Sequence, residues 1–148
     1  MCYMTFISTT SDHDLSLANT TLVQFGREEP DPRVQSHLKY KNIWHLGSQH
    51  GCSCGFRHLE KANVELDFSE PVDWWPEDEK DIEATIQVAT IFRDLLNQKE
   101  KLDCIDLWLG DRKTESLVTE ERAVNLALVP SNHFRFFEGH RFEFTAQT

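Results

Sequence analysis

The stretch PEDEKDIEATIQVATIFRDLLNQKEKLDCIDLWL, residues 76–109, decides the fold, because a helical pattern runs directly into a strand pattern. Pro76 and the acidic residues after it suit the first turn of a helix, and Lys99 and Lys101 suit its end, because of the helix dipole. The apolar residues recur three to four positions apart, which predicts a long amphipathic helix over residues 76–101: Ile82, Ile86, Ala89, Phe92 and Leu96.

Strand patterns lie on both sides of this helix. Residues 102–109 place Ile105, Leu107 and Leu109 on one face, and residues 64–68 alternate apolar and acidic side chains, so each predicts a half-buried strand. Strand, helix and strand in this order predict a right-handed crossover unit. Aromatic and β-branched residues over 3–9 and 140–145 predict the first and last strands.

These elements together predict a single α+β domain over residues 1–148. Its mixed β-sheet has about five or six strands, packed by the helix over about 76–101. Residues 131–139 admit two interpretations. One is a short helix that Ser131 caps and Gly139 ends, and the other is a hairpin strand that pairs with residues 141–144.

The composition excludes several classes of protein. The chain has 148 residues, of which 39% are hydrophobic, so it can bury a core and is not disordered as a whole. A formal net charge of −10 argues against nucleic acid as a partner, since phosphate binding needs excess Lys and Arg. The sequence holds no membrane-spanning apolar run and no secretory signal at its start. We therefore expect a soluble cytoplasmic protein with no membrane partner.

The negative charge is concentrated in one segment. Residues 62–83 carry nine acidic residues against Lys80 alone, a net charge of −8, whereas residues 1–61 are neutral. Such a segment serves either as a solvated surface beside a helix N-terminus or as a docking face for a basic protein. The second interpretation predicts a non-catalytic module of the inhibitor, immunity or adaptor type. Its docking residues would be Asp67, Glu70, Asp73, Trp74, Trp75, Glu77 and Asp78.

The other chemistry-bearing stretch is HLGSQHGCSCGFRH, residues 45–58, which we predict to be a hairpin between residues 43–46 and 56–59. Thiolates and imidazoles are the ligands that zinc prefers, and four of them complete a tetrahedral site. A predicted zinc site would use His50, Cys52, Cys54 and His58. The spacing is C-x-C rather than the usual C-x-x-C, so two alternatives stay open: a nucleophilic or redox-active thiol, and cysteines with a structural role only.

Carboxylates near predicted strand ends are weaker candidates for acid–base chemistry. They are Glu70, Asp73, Asp106 and Asp111, and Asp106 shares a strand face with Cys104 and Trp108. No catalytic motif organises these residues, so ordinary capping and solvent exposure explain them as well. Whether the protein is an enzyme stays open at this stage, with the non-catalytic interpretation preferred.

Overall fold

The computed structural model describes residues 2–28, 30–109 and 118–147. The strands of this part of the chain are β1 (Cys2–Thr9), β2 (Val23–Gly26), β3 (Asn42–Ser48), β4 (His58–Leu59), β5 (Leu102–Leu109), β6 (Glu120–Asn125), β7 (Phe136–Phe137) and β8 (His140–Thr145). The α-helices are α1 (Pro32–Gln35) and α2 (Glu79–Asn97), and short 3₁₀ helices span Leu15–Ala18, Lys61–Leu66 and Ser131–His133.

Six strands form one mixed sheet in the order β2-β3-β1-β5-β8-β6. Adjacent strands are antiparallel except β6 and β8, which run parallel. β1 lies inside the sheet and pairs with β5 along its whole length, from Cys2 opposite Leu109 to Thr9 opposite Leu102. The predicted α+β fold, with its sheet of about five or six strands and one long helix, is confirmed.

Helix α2 begins later and ends earlier than the predicted range 76–101. Asp78 is its N-cap, and the Asp78 carboxylate accepts a hydrogen bond from the Lys80 backbone N–H at 2.8 Å. At the other end Lys99 has a positive φ of 65°, so the backbone leaves the helical path there. No helix in the described part of the chain has the length and apolarity that a membrane span requires.

The sheet buries apolar side chains on both faces. The α2 face holds the larger core, to which the helix contributes Ala84, Val88, Ala89, Phe92 and Leu95. The opposite face carries a smaller core of Phe6, Val34, Leu38, Ile105 and Leu107. This division follows from the alternation of side chains along β5, since Cys104 packs in the first core and Ile105 in the second.

Three local predictions are wrong. Residues 64–68 are not a strand, because 61–66 form a 3₁₀ helix and Asp67 takes a φ of 51°, so there is no strand–helix–strand crossover. Residues 43–46 and 56–59 form no hairpin, because β3 already pairs with β1 and β2 on its two edges, and β4 pairs with β7 instead. Residues 131–139 fit neither interpretation: a 3₁₀ helix over 131–133 leads into β7.

A buried ion pair joins the neighbouring strands β5 and β8. Arg141 donates to the Asp103 carboxylate from Nη2 at 2.6 Å and from Nε at 3.1 Å, and both side chains are buried. Asp103 also accepts hydrogen bonds from the Ser8 hydroxyl and, at 3.0 Å, from the Lys39 backbone N–H. A buried charge is tolerated only when it is paired in this way.

Replacing Arg141 by Met should lower the free energy of unfolding by about 3–5 kcal/mol, because Asp103 is left buried without its counter-charge. Urea titration followed by circular dichroism measures this loss. The matched control is Lys41→Met, which removes an ion pair with Asp12 between two exposed side chains. Equal urea midpoints for the two variants would contradict the importance of the buried pair.

Candidate functional site

Three cysteine thiols converge at one end of the sheet. Cys2 is the first residue of β1, and Cys52 and Cys54 lie in the turn after β3. Their three Sγ atoms all lie within 4.8 Å of one another, and each residue is half-buried. We call Cys2, Cys52 and Cys54 the thiol cluster. It is close enough to hold a metal ion, and it is the one such group of three His, Cys, Asp or Glu ligands within residues 2–28, 30–109 and 118–147.

Ser53, between two of these cysteines, fastens the turn to the sheet. Its backbone N–H donates to the Tyr3 carbonyl at 3.0 Å, and its hydroxyl donates to the Leu46 carbonyl at 2.6 Å. The same hydroxyl accepts the Thr5 N–H at 2.8 Å. Because Ser53 is buried and attached to both β1 and β3, its two neighbours are held at the half-exposed surface beside Cys2.

Gly55 lets the turn fold back closely on itself. A Cβ on this residue would lie 2.6 Å from the Cβ and Oγ atoms of Ser48, a distance that side chains do not tolerate. The Ser48 hydroxyl accepts the Gly55 N–H at 3.0 Å and donates to the Cys52 carbonyl at 2.7 Å. The glycine in C-S-C-G is therefore required by packing in this turn.

The thiols of the cluster differ in acidity. Burial raises the pKa of Cys54 to about 12, although the Tyr3 N–H, which donates to Cys54 Sγ at 3.2 Å, acts in the opposite direction. Burial also acts to raise the pKa of Cys52, but hydrogen bonds from Cys54 and Cys2 outweigh it and leave this pKa below its ordinary value. Cys52 therefore loses its proton before Cys54 does.

His58 lies beside the cluster but is not available to it. Its Nδ1 lies 2.7 Å from Asp106 Oδ2, and its Nε2 lies 2.6 Å from the Ser53 carbonyl oxygen. The Ser53 carbonyl oxygen can only accept, so Nε2 donates to it, while Nδ1 is held by the Asp106 carboxyl group. The ring is stacked on Tyr3, with centroids 3.9 Å apart and planes 1° from parallel. Thr5 donates to the other Asp106 oxygen at 2.9 Å.

The predicted zinc ligands therefore converge only in part. Cys52 and Cys54 meet, His58 is occupied by Asp106 and Ser53, and His50 is exposed and outside the thiol cluster. The third thiol comes from Cys2, which sequence reasoning missed. Its only signal was a cysteine directly before the strand predicted over residues 3–9, and nothing local connects it with residues 52 and 54.

The acidic residues of segment 62–83 lie partly in the interior and partly at the surface. The Glu77 side chain is only 8% exposed, and its carboxylate accepts hydrogen bonds from Arg57 at 2.7 and 2.8 Å and from Arg135 at 2.8 Å. These two guanidinium groups lower the pKa of Glu77, against the effect of burial. Glu77 thus holds the fold together and is not the free docking carboxylate that the sequence suggested.

The other predicted docking residues lie in different settings. Asp67 forms an ion pair with Arg122 at 2.8 Å, and Asp78 caps α2. Trp75 packs partly against the main core, whereas the Trp74 side chain is 68% exposed. Two further acidic residues, Glu70 and Asp73, are exposed. The carboxylate candidate Asp111 lies outside the described residues.

A pocket of about 410 Å³ opens between the start of β1 and the N-terminus of α2. The stacked Tyr3 and His58 rings and Trp75 form one wall. Phe56, Pro76, Arg57 and four carboxylates line the rest, and Arg57 forms an ion pair with one of these carboxylates, Glu77; the other three are Glu60, Asp78 and Asp81. Burial raises the pKa of Asp81, and the negative charge of Asp78 adds to this effect, while His50 and His58 oppose it. We call this cavity the acidic pocket. It shares Tyr3 with the surroundings of the thiol cluster.

Comparison with known proteins assigns this chain to no family. No protein-family model, no curated protein and no solved structure matches this chain.

Alkylation should separate three of the four cysteines by exposure and acidity. We expect iodoacetamide at neutral pH to modify Cys52 first and Cys54 more slowly, because the pKa of Cys52 is lowered and that of Cys54 is raised to about 12. Cys104 is buried and should react only after unfolding in urea. Peptide mapping by tandem mass spectrometry gives the order. Equal rates for Cys52 and Cys54 would contradict the acidity that this geometry implies.

Proposed function

We propose that this protein is a metal-binding protein whose thiol cluster takes up a zinc ion. The convergence of Cys2, Cys52 and Cys54, with all sulfur atoms within 4.8 Å, is the observation that carries the proposal. Thiolates are soft ligands, and soft ligand sets favour zinc among the common divalent ions of cells.

The distances suit such a site. Zinc binds thiolate sulfur at about 2.3 Å, so three sulfurs in a tetrahedral site lie about 3.8 Å apart. Contraction of the cluster from within 4.8 Å needs movements of about 1 Å, which half-buried side chains can make by small rotations. The Tyr3 N–H would then stabilise the charge on Cys54 from outside the ligand set.

Three protein ligands leave the fourth zinc position to a water molecule or a small-molecule ligand. Structural zinc sites usually have four protein ligands, whereas sites with three keep an exchangeable position. Half-exposure of all three cysteines supports the exchangeable kind of site. Closely spaced free thiols persist in a reducing compartment, and on this basis we propose that the protein resides in the cytoplasm.

Purified protein should bind a single zinc ion per chain in equilibrium titration. Replacing Cys2, Cys52 or Cys54 singly by Ser should weaken binding by more than about 100-fold, because loss of a ligand exceeds the 10–100-fold cost of losing an outer-shell partner. Cobalt substitution provides a second readout, since thiolate-to-cobalt absorption should disappear in the same variants.

Cys104→Ala is the matched control, because it removes a buried thiol outside the cluster. It should retain full zinc binding. Zinc affinity that is equal in Cys2→Ser and Cys104→Ala would disprove the three-thiol site. A further variant, His50→Ala, tests whether this exposed imidazole supplies the fourth ligand. If it does, the variant binds zinc more weakly; if water completes the site, zinc affinity is unchanged.

The acidic pocket supports a second candidate function, the docking of a basic protein. Carboxylates from two chain segments face the same cavity, and Trp75 and Tyr3 offer aromatic faces beside them. A guanidinium or ammonium group is attracted both by the carboxylates and by the aromatic rings. Burial raises the pKa of Asp81 and the negative charge of Asp78 adds to this effect, whereas a cation bound beside the two carboxylates would act in the opposite direction.

The variant Asp78→Asn/Asp81→Asn should bind an oligoarginine peptide about tenfold more weakly than the natural protein, which corresponds to about 1.4 kcal/mol. Asparagine also caps helices well, so α2 should remain intact. Binding and its salt dependence are measured by fluorescence anisotropy. The control is Glu79→Gln/Glu83→Gln, which removes the same charge from exposed residues of α2 outside the pocket. Equal weakening in both double variants would indicate general attraction to an acidic surface and contradict docking in the pocket.

A further inference from the structure

The thiol cluster also has the arrangement of an oxidisable site, independently of any metal. The three sulfur atoms lie within 4.8 Å of one another, and Cys54 Sγ is held in place by the Tyr3 N–H, which donates to it at 3.2 Å. All three residues are half-exposed, and a small oxidant can reach them. Cys104, in contrast, is buried in the main core.

We propose that a hydroperoxide oxidises the metal-free thiol cluster and that the product is a disulfide between Cys2 and Cys52. This modification site goes beyond zinc binding, since it requires only that the three thiols are free of metal. The observations that carry it are the mutual approach of the sulfurs within 4.8 Å and the rigid attachment of Ser53.

The attachment of Ser53 selects the disulfide partner. A disulfide needs Cβ atoms about 3.5–4.5 Å apart. Cys52 and Cys54 are separated by a single residue, so a disulfide between them closes a small ring, and we expect this ring to change the backbone of Ser53. Ser53, however, is held by four hydrogen bonds, which involve the Tyr3 and Leu46 carbonyls, the Thr5 N–H and the His58 ring.

Cys2 approaches from a separate chain segment. The Cys2 and Cys52 sulfurs can therefore meet by rotation of their side chains, and the hydrogen bonds of Ser53 are retained. This geometry favours Cys2 over Cys54 as the thiol that closes the disulfide.

The reaction is a two-electron oxidation in two steps. The Cys52 thiolate attacks one oxygen of hydrogen peroxide, the O–O bond breaks, and Cys52 sulfenic acid and hydroxide form. The Cys2 thiolate then attacks the Cys52 sulfur, and the S–O bond breaks as the S–S bond forms. In total two thiols lose two electrons and two protons, and the peroxide is reduced to two molecules of water.

The test is a peptide map of metal-free protein that is treated with a small excess of hydrogen peroxide, then unfolded in urea and alkylated under non-reducing conditions. We expect the intact mass to fall by two hydrogen atoms. Tandem mass spectrometry should find the peptide that contains Cys2 linked to Cys52, with Cys54 and Cys104 alkylated. A Cys52–Cys54 or Cys2–Cys54 disulfide, or sulfinic acid with no disulfide, would overturn the proposal. The experiment uses the natural sequence, so its outcome does not depend on the folding of a variant.

Variants sharpen the assignment. Cys54→Ser and Cys104→Ala should still form the disulfide, whereas Cys2→Ser should stop at an oxidised Cys52 that dimedone labels. Circular dichroism checks that each variant is folded. A disulfide that persists in Cys2→Ser contradicts the proposed partner. Because the protein is metal-free throughout, failure of this experiment and failure of zinc binding are separate outcomes.

Discussion

The bond between Asp106 and His58 is the interaction on which the surroundings of the site depend. Asp106 lies on β5 in the middle of the sheet, and His58 is the first residue of β4. At 2.7 Å this hydrogen bond orients the imidazole ring, whose other nitrogen holds the Ser53 carbonyl. The sheet, the thiol-bearing turn and the aromatic wall of the acidic pocket are thereby joined through one buried side chain.

Three buried clusters of polar side chains organise the described part of this acidic chain. Asp106 pairs with His58, Asp103 pairs with Arg141, and Glu77 is shared by two arginines. Each cluster connects elements that are distant in sequence, and buried ion pairs are demanding in geometry. Part of the acidic composition therefore serves the interior of the fold, and only the remainder is available at the surface for a partner.

The thiol cluster and the acidic pocket are neighbours although their residues come from different parts of the chain. Tyr3 connects them, because its N–H donates to Cys54 and its ring lines the pocket against His58. The two candidate sites therefore share one residue. The proposed zinc binding, thiol oxidation and docking of a cationic group all concern this end of β1.

The sequence by itself determined the long helix, the strands β1, β5 and β8 and the α+β class, because the period of apolar residues reports which face of a segment is buried. It also identified Cys52 and Cys54 as candidate ligands. Only the tertiary structure decided that Cys2 joins them, that His58 is bound to Asp106, and that Glu77 is buried between arginines. The physical reason is that these contacts depend on strand order. β1 lies inside the sheet with both edges paired, which excludes the local hairpin and brings together residues fifty positions apart, and no local pattern carries that information.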